Sequence, residues 1–440
     1  MDYRQVLALF LPILIDQAFI VSLNLVNTAM ISSSGVAAVS AVNMVDSLNI
    51  FMINVFVAVA TGGTVVVAQY KGSGNHPMVS RATAGSVTSV AGIAVIIGLL
   101  IMALHNQVLA LLFGAATDEV LSNARTYLIG SCISYVGLGI VQAVCGALRG
   151  VGKTRASLFL SLNMNLLYVL LNVVLIYFLH MGVWGLTLAV NIARFAGAVI
   201  ALVYLFKWDA TLHLRIRDLF HFPLSMLKKI MFIGVPFAME QMFFNGGKLL
   251  TQVFIVSLGT YAIAANAIAS SIAIVLQMPA TALSLTIVTV VGQCMGRGNI
   301  GDARKFIKAF LWLGSGSLAL FALILMPFYY PIVSIFNPPD EIVSDIFWLL
   351  LITSVLQVPL WSVSFILPAA FRAAGDSKFT SLVSMLTMWL FRVILGYVLG
   401  ITLEYGILGV WLAMNFEWGV RGVIFLLRLR GKMWYRHKLI

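Results

Sequence analysis

Leu11-Pro12-Ile13-Leu14-Ile15-Asp16-Gln17 and Val235-Pro236-Phe237-Ala238-Met239-Glu240-Gln241 are one pattern written twice, 224 residues apart. Each is an apolar run interrupted by a proline, with an acid and a glutamine one turn later. The same offset carries Gln69-Tyr70-Lys71-Gly72 onto Gln293-Cys294-Met295-Gly296, and Gly182-Val183-Trp184-Gly185 onto Gly406-Ile407-Leu408-Gly409. With one residue of slip, Leu148-Arg149-Gly150-Val151-Gly152 meets Phe371-Arg372-Ala373-Ala374-Gly375. A repeat of this length means two homologous halves, and paired halves are how many transporters build a site near the middle of a bilayer.

The rest of the composition agrees with a membrane setting. The chain is 61% hydrophobic and only 10% charged, with a mean hydropathy of +1.03, whereas soluble domains carry about 25% charged residues. Apolar runs long enough to cross roughly 30 Å of hydrocarbon fall near 5–32, 37–68, 82–104, 122–147, 157–179, 183–206, 229–257, 261–291, 304–328, 342–370, 379–402 and 406–428. The expected fold is therefore an all-α polytopic membrane protein with twelve transmembrane helices in two six-helix repeats. Six is even, so each half begins and ends on the same side and the repeats are parallel. The expected organisation is an N-terminal lobe over 1–206, a cytoplasmic lobe linker over 207–227, and a C-terminal lobe over 228–440 that ends in a short basic tail.

The net charge of +12 invites a nucleic-acid reading, but the positions of the basic residues argue against one. Of the 27 lysines and arginines, 22 fall at the N-terminus, in the even-to-odd connections or at the C-terminus. The opposite connections carry Asp118, Glu119, Asp340, Glu341 and Glu404. The positive-inside rule then places both termini in the cytoplasm, with anionic lipids facing the basic loops of a plasma-membrane (cell inner membrane) protein. The first apolar run holds Asp16 and lacks a small-residue cleavage pattern, so it reads as a retained helix. Gly150-Val151-Gly152-Lys153-Thr154 lacks the strand and the further glycine of a phosphate-binding loop. Cys132, Cys145 and Cys294 show no metal-binding spacing and read as free thiols. No cofactor, catalytic cluster or metal beyond a coupling Na⁺ is expected, and the chain reads as a non-enzyme and a monomer.

Ionisable residues inside spans cost roughly 2.5–3.5 kcal/mol each on insertion scales, so they persist where they face water, a partner or a function. Asp16, Asp46, Glu240 and Glu417 are the acids in question. In helix 1, Asp16 and Asn27 point within about 20° of each other, as do Gln17 and Asn24, which gives a polar stripe. Helix 7 repeats it with Glu240 and with Gln241, Asn245, Lys248 and Gln252 inside about one quadrant. Both stripes are expected to face an aqueous cavity; the plain alternative is that their amides bond across helix interfaces. Asp16, Asn27, Asp46 and Glu240 are thus the cation-coupling candidates, and Gln17, Asn24, Gln241, Asn245 and Lys248 the substrate-cleft candidates. Glu417 and Arg421, an i,i+4 pair in the favourable order, read with Arg392 as a structural charge cluster.

Short stretches along the whole chain add a resemblance. Val45-Asp46-Ser47, Ala60-Thr61-Gly62-Gly63, Gly234-Val235-Pro236 with Glu240, Gly247-Lys248, Phe371-Arg372-Ala373-Ala374-Gly375-Asp376, Met388-Trp389-Leu390-Phe391-Arg392 and Gly409-Val410-Trp411 with Glu417 and Arg421 resemble the MATE (multidrug and toxic compound extrusion) family. The resemblance implies two lobes in a V around a central cleft. It also implies antiport of small organic solutes, often cationic and amphipathic, against Na⁺ or H⁺ by alternating access. One departure stands out: where the family usually has an acid in a Val-Asp-Thr triplet, this chain has Val26-Asn27-Thr28. An asparagine offers a carbonyl oxygen to Na⁺ but does not titrate. The alternative in the same superfamily is a flippase for lipids or lipid-linked oligosaccharides, which needs cationic side chains in the cleft; Lys248 and Arg194 are the candidates the sequence offers.

Overall fold

The computed structural model describes residues 2–209, 214–221 and 223–440. Among these the secondary structure is helical, with no strand. Twelve long helices follow in order: α1 Tyr3–Ser32, α2 Val36–Ser73, α3 His76–Ala103, α4 Asp118–Gly150, α5 Thr154–Phe178, α6 Val183–Trp208, α7 Leu224–Ser257, α8 Thr260–Gly296, α9 Ile300–Ser334, α10 Asp340–Ala373, α11 Ser377–Thr402 and α12 Gly406–Arg430. A short helix, His105–Phe113, sits between α3 and α4. Eleven of the twelve are both long and apolar enough to cross a membrane. The exception, α7, has 34 residues, ample for a span that needs about 20. Its shortfall is in hydropathy, because Glu240, Gln241, Asn245, Lys248 and Gln252 lie along it.

The repeat seen in the sequence is also a repeat of the backbone. Left-handed glycines recur at the 224-residue offset, at Gly35 (φ 104°) and Gly259 (108°), Gly74 (80°) and Gly298 (73°), and Gly182 (62°) and Gly406 (65°). His180 (φ 51°) and Glu404 (60°), two different side chains, hold the same left-handed turn before α6 and α12. Such a turn disfavours any residue with a Cβ, so its retention marks a common chain path. A π-helical segment also recurs, at Val173–Phe178 in α5 and Val398–Thr402 in α11. A second one, Met388–Ile394, appears in α11 alone.

The chain forms two compact units, Met1–Ala238 with Ile440, and Met239–Leu439. The division falls inside α7, after Pro236 and before Glu240. In the first unit α4 is the central helix, and its glycines let neighbours approach closely, as small residues do in membrane bundles. A Cβ on Gly146 would lie 2.6 Å from Thr64 Oγ1 of α2. The start of α7 belongs to this unit: Lys229 Nζ donates to Tyr70 Oη (2.6 Å), and a Cβ on Gly62 would meet Ile230 O at 2.5 Å. In the second unit an apolar core joins α8, α9, α10 and α12 through Ala269, Ile272, Tyr329, Leu349, Leu350 and Trp411. Cys132, Cys145 and Cys294 are buried free thiols.

Candidate functional site

Each unit buries one acid of the duplicated motif and brings an arginine and a serine to it. In the second unit Glu240, 6% exposed, accepts from Ser381 Oγ (3.2 Å) and lies 3.7 Å from Arg372 Nη1. Arg372 belongs to the last turn of α10, where hydropathy alone marks a cytoplasmic end, yet it is buried. In the first unit Asp16 is buried beside Ser161 and Arg149, the latter in the last turn of α4. The sequence reading left both arginines with the membrane-surface charges. The signal that would have found them is the repeat, which aligns Arg149 with Arg372 just as it aligns Asp16 with Glu240. Low dielectric makes such a pair strong once formed and each partner costly alone.

Farther along the helices the units differ. The first carries a hydrogen-bonded chain around Asp46, whose Oδ1 accepts from Tyr127 Oη (2.7 Å) and Asn49 Nδ2 (3.3 Å). Asn49 in turn accepts from Tyr135 Oη (2.5 Å) and donates to Ser131 Oγ (3.1 Å). One turn on, Ser134 Oγ accepts from Arg194 Nη1 (2.8 Å). Asp46 itself is half-buried, and both bonds land on one of its oxygens. Near it in sequence but not in this chain, Asn27 Oδ1 accepts from Asn172 Nδ2 (2.9 Å). Gln17 is half-buried and Asn24 exposed on α1. Asn172 is also hydrogen-bonded with Tyr168, on which the charges of Asp46 and Arg194 act, so Asn27 and Asp46 belong to one polar region, while Asp16 is buried beside Ser161.

The second unit holds a cavity of about 420 Å³, within the roughly 300–1,000 Å³ typical of small-molecule sites. Lys248, Thr251 and Gln252 of α7 line it, with Asn266 and Gln277 of α8 and Arg392 of α11. Its apolar wall is aromatic: Phe244, Trp361, Phe365, Trp411 and Trp418. Lys248 Nζ lies 4.7 Å from the centre of the Phe244 ring and Arg392 Cζ 5.5 Å from it, so one ring carries two cations. Of the polar residues anticipated on α7, Lys248 and Gln252 reach the cavity, while Glu240, Gln241 and Asn245 do not. Asn245 Nδ2 donates instead to Gln241 O on its own helix (2.8 Å).

Glu417 and Arg421 pair at 3.4 Å deep in this unit. Thr387 Oγ1 donates to the same carboxylate (3.2 Å), and Arg421 Nε donates to Ser364 O (3.1 Å). Arg392 stands outside this pair. Its π-helical segment, Met388–Ile394, holds more residues per turn than the 3.6 of an α-helix, which changes the direction its side chains face. Among the described residues no group of three His, Cys, Asp or Glu side chains is placed to hold a metal ion.

Comparison with known proteins gives this architecture its place. The family model MatE matches residues 12–178 and again 236–398. The two matches begin at Pro12 and Pro236, at the offset of the repeat. The chain is 25% identical over 438 residues to the "Uncharacterized transporter YisQ" of Bacillus subtilis, covering 96% of this chain and 93% of that one. It is also 25% identical over 411 residues to the "Probable multidrug resistance protein NorM" of Thermotoga maritima, covering 92% and 87%. A solved structure of MATE in the bent conformation matches the fold with a TM-score of 0.89 at 18% identity, over 97% of this chain and 94% of that one. The chain belongs to the MatE family, and is a membrane transporter and not an enzyme.

Proposed function

We propose that the protein exports small amphipathic organic compounds by alternating access, driven by Na⁺ or H⁺ moving inward. It would sit in the plasma membrane as a monomer among lipids, with both termini cytoplasmic. Family membership and the similarity to a protein named for multidrug resistance support export of organic compounds. The observation that carries ion coupling is the state of the acids in the first unit. Asp46 commits one oxygen to Tyr127 and Asn49, and its other oxygen is open to an ion. Asp16 keeps Oδ1 buried without a hydrogen-bond partner. A carboxylate so placed gains most from a proton or a hard cation. Glu240, held by Arg372 and Ser381, is the weaker coupling candidate, and Asn27 offers only its amide.

In this cycle an ion enters from outside, neutralises a first-unit acid and lowers the cost of turning that acid inward. The membrane potential contributes about 2.3 kcal/mol per charge per 100 mV to each net charge moved. Release of the ion inside restores the charge and resets the protein toward substrate. The test is efflux of fluorescent organic cations and anions from proteoliposomes under imposed Na⁺ and pH gradients, with Asp16→Asn, Asp46→Asn and Glu240→Gln. We expect Asp46→Asn or Asp16→Asn to abolish the gradient dependence, and Glu240→Gln to affect it least. Undiminished gradient-driven efflux in all three variants would sink acid-centred coupling.

A further inference from the structure

We propose that the cavity of the second unit is a binding site for an organic anion, with its acidic group held by Lys248 and Arg392 and a planar apolar body laid among the tryptophans. The first support is charge. Lys248 and Arg392 line one cavity and share one aromatic ring, and among the described residues no carboxylate lies within 4.0 Å of either. Glu417 acts on Arg392 from beyond that distance; Arg421 and Thr387 share its Oε1, and its Oε2 is buried without a hydrogen-bond partner. Three cations share one acid here, which leaves two positive charges in excess inside a membrane-embedded unit. Like charges held together away from bulk water are unfavourable until an anion joins them.

The second support is the kind of groups that complete the wall. An anion needs donors, and a cation site needs acceptors. Trp411 Nε1 donates to Asn266 Oδ1 (2.9 Å), which fixes that amide and leaves its Nδ2 as a donor at the cavity. Trp418, which lines the cavity, keeps its Nε1 buried without a hydrogen-bond partner. The aromatic rings of Trp361, Phe365, Trp411 and Trp418 supply flat apolar surface for the body of the ligand. An organic cation finds no acidic partner on this wall.

The proposal concerns the ligand of one cavity; it rests on the transport reading only in treating that ligand as cargo. Binding is measured by calorimetry on the purified full chain in neutral detergent, with 1-naphthalenesulfonate and, as the cationic counterpart, 1-naphthyltrimethylammonium. We expect the sulfonate to bind and the ammonium to bind at least about 10-fold more weakly, since a desolvated charge pair decides such preferences. Lys248→Gln and Arg392→Gln should each weaken the sulfonate about 10-fold or more. Wild-type thermal unfolding of both variants separates this loss from misfolding. Lys248→Arg, which keeps the charge, should retain most of the binding. Equal affinity for the two probes, or sulfonate binding indifferent to both glutamine substitutions, overturns the proposal. Displacement of the sulfonate by phosphatidate but not by free organic anions assigns the site to a lipid headgroup and also overturns it. Sulfonate binding without gradient-driven efflux breaks the transport reading alone, and efflux without charge-dependent binding breaks this proposal alone.

Discussion

The two halves share a framework and part company over charge. Both bury an acid on the first helix of the repeat within the field of an arginine at the end of the fourth: the charge of Arg149 acts on Asp16, and Arg372 pairs with Glu240. At the 224-residue offset, however, Asp46 faces Ser270, Asn24 faces Lys248 and Tyr168 faces Arg392. One half thus carries a carboxylate held on one oxygen by a hydroxyl and an amide donor, and the other a cavity with two cations and an aromatic wall. The membrane-surface turns show that reversal of sign alone is not what matters. Lys153 on the α4–α5 turn pairs with Asp209, whereas on the α10–α11 turn Asp376 takes a bidentate Arg428 at 2.9 Å. An anchor works with either sign, but a binding site does not. The unlike charges inside the halves are what the proposed division of labour rests on, with the ion in the first and the organic ligand in the second.

The comparison can be broken hardest at the ion pair that only the second half has. Glu417 and Arg421 stand where the first half has Ala193 and Gly197. Arg421→Met leaves a carboxylate that is 0% exposed with Thr387 as its remaining donor, so we expect a loss of about 3–5 kcal/mol. Removing both charges, in Glu417→Leu with Arg421→Met, should recover most of that loss because no charge is then stranded. Thermal unfolding of the purified protein in detergent reads both. A single variant within 1 kcal/mol of wild type would mean the pair is solvated and the second half is less dry than its burial indicates.

A smaller effect is expected at a backbone contact peculiar to the first unit. Gly62 lets the start of α7 approach α2, and a Cβ there would lie 2.5 Å from Ile230 O and 2.9 Å from Gly234 N. Its counterpart in the second half is Thr286, fully buried, so the same helix position tolerates a branched side chain where no helix presses so closely. Gly62→Ala must shift a backbone and should cost about 1–3 kcal/mol, whereas Thr286→Ala only removes a few atoms and should cost about 1 kcal/mol. Equal unfolding temperatures for Gly62→Ala and wild type would show that α7 yields there without strain.

What could be read from the sequence follows from which properties are local. Hydropathy and length mark helices one at a time, and the 224-residue offset marks their order, so the twelve helices and the duplication of Asp16 by Glu240 were legible. Pairings that depend on helix rotation were not. Arg392 reads from the sequence as one cluster with Glu417 and Arg421, whose charges do act on it; that it also lines the cavity, from the π-helical segment Met388–Ile394, is not visible in the sequence. Arg372 and Arg149 read as surface charges because each ends a helix, yet the long side chain of Arg372 reaches back to Glu240, and Arg149 donates to Ser157 Oγ (3.3 Å) while its charge acts on Asp16. One helical stripe carries Gln241, Asn245, Lys248 and Gln252, and of these the cavity of the second unit is lined by Lys248 and Gln252.

The mildest test bears on the residue that sets this chain apart from the usual family pattern. Asn27 is half-buried and accepts one hydrogen bond, from Asn172 Nδ2 at 2.9 Å; its counterpart in the second half, Thr251, merely bonds Gly247 O of its own helix. Asn27→Asp keeps the shape and the acceptor, so stability should change by less than about 1 kcal/mol. What it adds is a titrating group on the helix that already carries Asp16. If the first half houses ion coupling, an extra acid there should add a pH-dependent step, seen as a new inflection in the pH profile of efflux from proteoliposomes without Na⁺. The matching change in the second half, Thr251→Asp, should produce no such inflection and should weaken sulfonate binding by partly neutralising Lys248 and Arg392. An identical response to the two substitutions would mean that the halves do not divide ion from ligand, however different the charges they carry.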